Sequence, residues 1–455
     1  MIAECKRRML PNGLRLLGVE NRALHAFVCS VYVRVGPRFE SSEQIGLSHF
    51  LEHMIMQGSE KFPDSNTIMR GVEDLGGVVD ASTYAEYINV VFGVHRKHWR
   101  RVMDIAADVL LRPLFAEAEI EQEKQIVAQE IMQHRDRQGR NISTAELAHS
   151  IMFRGRVCEA GTRGDPDLLA RFDRAAVQGH YRRYFRPENT VVCLAGGLDF
   201  DEVVGEVEER FGQMPSDGEE VGRPLAAVAN RTGRSRAFYR QTEALPVAEV
   251  LLCHVAPGLG DRRHDAVRAA SHLLGGGLSS RLFARVREEL GLVYDIHSHL
   301  QSYSDTAAME VFLTVGVENM PAAFEAALHV LRQTRADGFA ADELARYKEA
   351  ASCGMEMLCD QASPLADWFG RQELLLEPQH VRTPEEHVQR QQALTLGDLH
   401  AAMEEMASEA GVTLVAVGPY EERELTAMRG LLAAEEADAP GVNSERRDRA
   451  QEEEG

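Results

Sequence analysis

The chain has 455 residues, with 50 Lys plus Arg against 71 Asp plus Glu, a formal net charge of −21. That length exceeds one ordinary core and predicts two or more domains, while the charge counts against nucleic acid and anionic membranes as partners, because both would be repelled. The seven cysteines are scattered, with no C-x-x-C pair, which suits a reducing compartment better than a disulfide framework.

The opening MIAECKRRMLPNGLRLLGVEN carries charges where a signal peptide needs an unbroken apolar run, and no later run approaches the length of a membrane span. The expectation is a soluble, cytoplasmic protein. RALHAFVCSVYVRVGPR has the β-branched and aromatic content of a strand, and SSEQIGLSHFLEHMIMQG is spaced as a helix ended by Gly58. GGVVDASTYAEYINVVFGV predicts two strands joined by a polar turn. Pro113 stops the helix before it, and FAEAEIEQEKQIVAQEIMQHRDR then runs as a long helix with acids in its opening turns, where the helix dipole favours them.

Further on, NTVVCLAGGLDFDEVVGEVEERF is a strand, a glycine turn and a helix. GVTLVAVGPYEERELTAMRGLL repeats that order near the other end, which points to duplicated halves. Between them, the Gly-, Pro- and polar-rich stretch from Gly212 to Ser235 is the best linker. AVRAASHLL and SSRLFARVREEL are helical around a bend at Gly275 to Gly277, followed by the strand LVYDIHSHLQSY. The resulting division is 1–215, a linker at 216–235, 236–433, and a charged tail at 434–455 without aromatic residues, for which disorder is expected.

The stretch GLSHFLEHMIMQGSEKFP carries the chemistry. His49 and His53, four apart on a helix, share a face, and Glu52 can lean over the same spot. A catalytic zinc needs three protein ligands and one open position for a water that a nearby carboxylate can deprotonate, and H-x-x-E-H is the inverted form of a zinc-peptidase motif. From these residues alone the pair could equally be two satisfied histidines on a half-buried helix; a third ligand would decide. The acidic helix offers Glu123 and Glu130, two turns apart on one face. For Glu123 the plain alternative is a solvated carboxylate beside Lys124.

HFLEH followed by a glutamate in EKQIVAQEIMQHRD resembles the pitrilysin/insulinase family of zinc peptidases, which includes the mitochondrial processing peptidases, and in particular its bacterial single-chain members. The resemblance extends over nearly the whole chain, through GPRFE before the histidine helix, YFRPENTVVCLAGG, and GGGLSSRLFARVREELGLVYDIHS. It implies that His49, His53 and Glu130 bind one zinc ion per chain, that Glu52 is the general base, and that Glu123 supports the site without ligating. It further implies that Arg287 and Tyr294 hold the peptide substrate, and that the strand with Asp80, Ala81 and Thr83 is a sheet edge that pairs with it. The implied fold is α+β, with two similar halves, each with helices packed on a mainly antiparallel sheet. The implied assembly is a homodimer enclosing a chamber.

Two departures from the family pattern stand out. Asp80 to Thr83 reads Asp-Ala-Ser-Thr where many members have Asn-Ala-x-Thr, and Gln57 to Ser59 replaces the usual Lys-Gly-Thr. Both touch specificity more than zinc chemistry. An inactive scaffold and a maturation peptidase for a ribosomally made precursor remain the alternatives. Elsewhere, His297 and His299 share a strand face but no third ligand is evident, His95 and His98 are expected to be exposed, Gly275 to Gly277 lacks the residues of a phosphate loop, and Cys353 and Cys359 are expected as buried small hydrophobes.

Overall fold

The computed structural model describes residues 4–154, 163–216, 228–229, 236–408 and 412–438. In chain order the strands are β1 (Glu4–Met9), β2 (Arg15–Glu20), β3 (Ala26–Val33), β4 (Val78–Thr83), β5 (Ile88–His95), β6 (Phe153–Arg154), β7 (Thr190–Gly196), β8 (Val228–Ala229), β9 (Arg236–Gln241), β10 (Ala248–Pro257), β11 (Asp295–Ser302), β12 (Thr306–Val315) and β13 (Thr413–Gly418). The chain divides into two compact units, each built from three segments. The first comprises Met1–Gln133, Arg156–Ala226 and Ala351–Gln389; the second comprises His134–Gly155, Ala227–Ala350 and Arg390–Gly455.

The first unit holds a sheet in the order β1, β2, β7, β3, β5, β4, and the second a sheet in the order β11, β12, β10, β13, β9. Every pair is antiparallel except β2 with β7 and β9 with β13. With β1 set aside, the five strands of either sheet stand, by chain order within their unit, first, fifth, second, fourth, third, and the single parallel pair falls in the same place. The expected α+β architecture of two similar halves is thus present strand by strand. β7 (TVVCLAG) and β13 (TLVAVG) are buried along their whole length, as central strands covered on both faces must be.

Packing does not follow a single cut in the chain. The Ala362–Leu375 helix, from the far half of the sequence, covers β3 and β7 in the first unit. At Gly370 it comes so close that a Cβ would lie 2.2 Å from the Tyr32 ring. Conversely the Thr144–Met152 helix packs on β10 and β13 of the second unit. Most of the expected linker at 216–235 lies outside the described residues.

Several expectations need correction. The histidine helix spans only Leu47–Ile55, because residues 41–46 loop instead. The acidic helix ends at Gln133. The last helix runs from Glu422 to Asp438, past the tail boundary expected at 434, and 439–455 lie outside the described residues. Cys353 is exposed and Cys359 half-buried, not buried, because the Ala341–Cys359 helix turns that side to solvent. His95 is exposed but His98 is half-buried. None of the six described cysteines forms a disulfide; Cys158 lies outside the described residues. Among the described residues no helix is long and apolar enough to cross a membrane.

Candidate active site

The histidine helix starts at Gly46, whose φ is +90°. A Cβ there would stand 2.6 Å from the Gly164 backbone, so only glycine fits this left-handed, crowded position. Phe50, Leu51, Met54 and Ile55 are fully buried and anchor the helix in the core of the first unit. That leaves His49, buried, and His53, half-buried, on the flank. The Glu117–Gln133 helix packs beside it, burying Ile120, Val127 and Ile131.

From these two helices three donor atoms meet. His49 Nε2 lies 3.2 Å from His53 Nε2, and Glu130 Oε2 is 3.6 Å from each. The rings stand at 83° to one another. In a tetrahedral zinc site with bonds of ~2.0–2.1 Å, ligand atoms stand roughly 3.3 Å apart. The triangle therefore has the size and the donor chemistry that zinc takes. Glu52 belongs to the same cluster: His49, Glu52 and His53 offer ligand atoms all within 4.8 Å of one another.

The surrounding side chains orient this core. Glu123 is buried, contrary to the solvated alternative, and Lys124 instead pairs with Glu121. Its Oε1 faces His53 Nδ1 at 2.8 Å, and its Oε2 accepts from Gln57 Nε2 at 2.8 Å. A carboxylate that accepts a hydrogen bond from the Nδ1–H of His53 leaves Nε2 as an unprotonated lone pair pointing into the triangle. Arg163 Nε stands 3.3 Å from Glu130 Oε1, so only one oxygen of Glu130 faces the histidines. Thr83, on edge strand β4, donates its hydroxyl to Glu52 Oε2 at 3.2 Å.

Burial depresses His49 to about 4, with the neighbouring His53 acting in the same direction. It therefore stays neutral, as a ligand must. His53 is pushed upward: burial opposes this, but the hydrogen bond to Glu123 and the charges of Glu52, Glu123 and Glu130 prevail. Glu52 is raised by burial, assisted by Glu130 and Asp80 and opposed by His53 and Thr83. A base with an upward-shifted carboxyl is one that can also give its proton back.

Residues 19–165 match the family model described as insulinase (peptidase family M16), and 171–351 match its companion, described as the peptidase M16 inactive domain. The chain belongs to the insulinase family. It is similar to a protein of Bacillus subtilis named an uncharacterized zinc protease, 27% identical over 379 residues that cover 82% of this chain and 88% of that one. A Mycobacterium bovis protein of the same description is 30% identical over 372 residues, covering 81% and 83%. Among solved structures, a protease from Helicobacter pylori superposes with a TM-score of 0.84 at 18% identity, over 92% of this chain and all of that one. The first half of the periplasmic protease PqqL from Escherichia coli gives 0.76 at 17% identity, over 95% and 96%.

The remaining expected residues fall into two groups. Asp80 and Ala81 lie with Thr83 on β4, the outer strand of the first sheet, which among the described residues pairs only with β5. Arg287 and Tyr294 belong to the second unit, where the Arg287 guanidinium sits 4.7 Å from the Phe283 ring centre and 5.9 Å from that of Tyr294. Tyr294 is 79% exposed, far more than a tyrosine with only a packing role. Gln57 and Arg163 were not singled out as site residues by sequence reasoning. Gln57 had one signal, its place where relatives carry lysine; Arg163 had none.

Proposed function

We propose that this protein is a zinc metalloendopeptidase acting on short or unfolded peptides. The observation that carries the reading is the triangle of His49 Nε2, His53 Nε2 and Glu130 Oε2, drawn from two helices, with the raised carboxyl of Glu52 beside it. Zinc bound there would polarise a peptide carbonyl and acidify water. Glu52, steadied by the Thr83 hydroxyl, takes a proton from the attacking water and delivers it to the leaving amine. Glu123 and Gln57 hold His53 in its tautomer. The free edge of β4 pairs with the extended substrate backbone, and Arg287 and Tyr294 donate hydrogen bonds to it.

The deciding experiment maps products by mass spectrometry on a mixed peptide library, with metal content measured on the same samples. Glu52→Gln should keep its zinc and lose 100-fold or more in turnover, roughly the share general acid–base catalysis contributes. Cleavage at the wild-type rate by that variant removes Glu52 from its role. The assembly we propose is a homodimer around a chamber, which the presence of both the zinc ligands and the Arg287/Tyr294 pair in one chain favours. Its solution mass should be near twice 50.6 kDa, and a monomer that cleaves peptides would overturn it.

A further inference from the structure

The histidine helix has nine residues, too few to be stable by itself in water, and its start lacks the usual device for holding a helix end. The N-cap position is Gly46, which has no side chain to offer and cannot be exchanged for Ser, Thr or Asp because Gly164 occupies the space. Three of the amides at that end nonetheless have partners. Leu47 N donates to the Gln44 carbonyl at 2.8 Å. Gly46 N and Ser48 N donate to the two oxygens of one carboxylate, that of Glu40, at 2.8 and 2.7 Å.

Glu40 is buried, at 2% exposure, and among the described residues no ion pair to it is found; the nearby Arg38 is engaged with Glu86 at 2.7 Å. A buried carboxylate without a cation is costly: burial pushes Glu40 up to about 7, and only the two amides, the Ser48 hydroxyl and the positive end of the helix work against that shift and favour the charged form. The next contacts fasten this cap to the body of the unit. Ser48 Oγ lies 2.9 Å from Nε2 of the buried His180, and Tyr184, one turn on from His180, donates its hydroxyl to the Phe39 carbonyl at 3.1 Å. Ser48 is the residue before His49.

We propose that Glu40 is a positioning residue for the metal centre: it acts as the N-cap supplied from six residues upstream, and it fixes the depth and rotation of the helix that carries His49 and His53 relative to Glu130 on the neighbouring helix. The third donor belongs to a separate element, so a shift of the histidine helix by a fraction of an ångström opens the triangle. This rests on the zinc-site reading above, but its test does not depend on activity.

In Glu40→Gln one oxygen becomes an amide that cannot accept from the backbone. Chelator competition should show zinc affinity reduced about 10- to 100-fold, as for other groups that orient ligands. The turnover number should fall with KM unchanged, and hydrogen exchange of amides 46–53 should quicken at least tenfold in the metal-free protein. Wild-type zinc affinity together with wild-type exchange overturns the proposal. Should the variant be insoluble, Glu40→Asp, which keeps the charge but draws it back by one methylene, carries the same expectations and the same overturning result. Ser48→Ala keeps both backbone bonds and should cost less; an equal loss would transfer the role to Ser48 and His180. If the wild type itself takes up no zinc, the peptidase reading falls, while the exchange of the helix amides still decides Glu40.

Discussion

The two units share one strand order yet differ in what their histidines face. In the first, the helix after the second shared strand aims two Nε2 atoms at a common point 3.2 Å across, with Glu130 facing both. The corresponding helix of the second unit, His264–Gly275, also carries two histidines. There His264 is satisfied by the Pro257 carbonyl at 2.8 Å and faces Arg268 at 3.0 Å, while His272 packs on the Tyr347 ring. On edge strand β11 the pattern is similar: His297 has Asp295, and His299 shares the buried Glu310 with His149. Histidine spacing alone therefore does not make a metal site. What sets the first unit apart is that two Nε2 atoms and one carboxylate oxygen, drawn from two helices, face one another.

The bluntest way to break this contrast is to remove one histidine from each unit. His49→Ala should abolish tight zinc binding, whereas His299→Ala should retain one equivalent per chain by elemental analysis. Zinc lost from the second variant would mean that the strand histidines also bind metal. Next in size is Glu310→Gln, which breaks a buried ion cluster and should cost about 3–5 kcal/mol in urea unfolding at pH 7. Although burial would raise Glu310, the hydrogen bonds and charges of His149 and His299 hold it down to about 2. With the folded value depressed below the ordinary 4.5, its stabilisation is present above pH 4.5 and lost as the pH falls toward 2. The deficit of the variant should therefore shrink between pH 7 and pH 3; a constant deficit would point to packing instead. The smallest effect is expected of Glu123→Gln. It should weaken zinc about 10- to 100-fold, or about 1.4–2.7 kcal/mol, since a neutral amide has one accepting oxygen where the carboxylate offers one to His53 and one to Gln57. Unchanged affinity would reduce Glu123 to a packing role.

Parts of this were legible without coordinates because they are local. His49, Glu52 and His53 fall within little more than one turn of a helix, so their common face follows from helical geometry. The duplicated strand, glycine turn and helix could be seen because a central strand must be apolar throughout. Glu130 was reachable by the helical spacing of Glu123 and Glu130 and the family resemblance together. The burial of Glu123 was not, since a glutamate beside a lysine on an acidic helix reads as solvated until the partner helix is in place. Nor did anything mark 351–389 as part of the first unit, because which sheet a helix covers depends on contacts far away in the chain.

What the amino-acid order determined by itself is therefore the set of periodic elements and the donor atoms each one carries, because backbone periodicity and side-chain chemistry are properties of neighbouring residues. What only the folded molecule decided is which donors meet and which are taken. The closing of two helices to within 3.6 Å at Glu130, the capture of His53 by Glu123, the crowding that makes Gly46 obligatory and the cap delivered by Glu40 all depend on distances between segments that no local rule encodes.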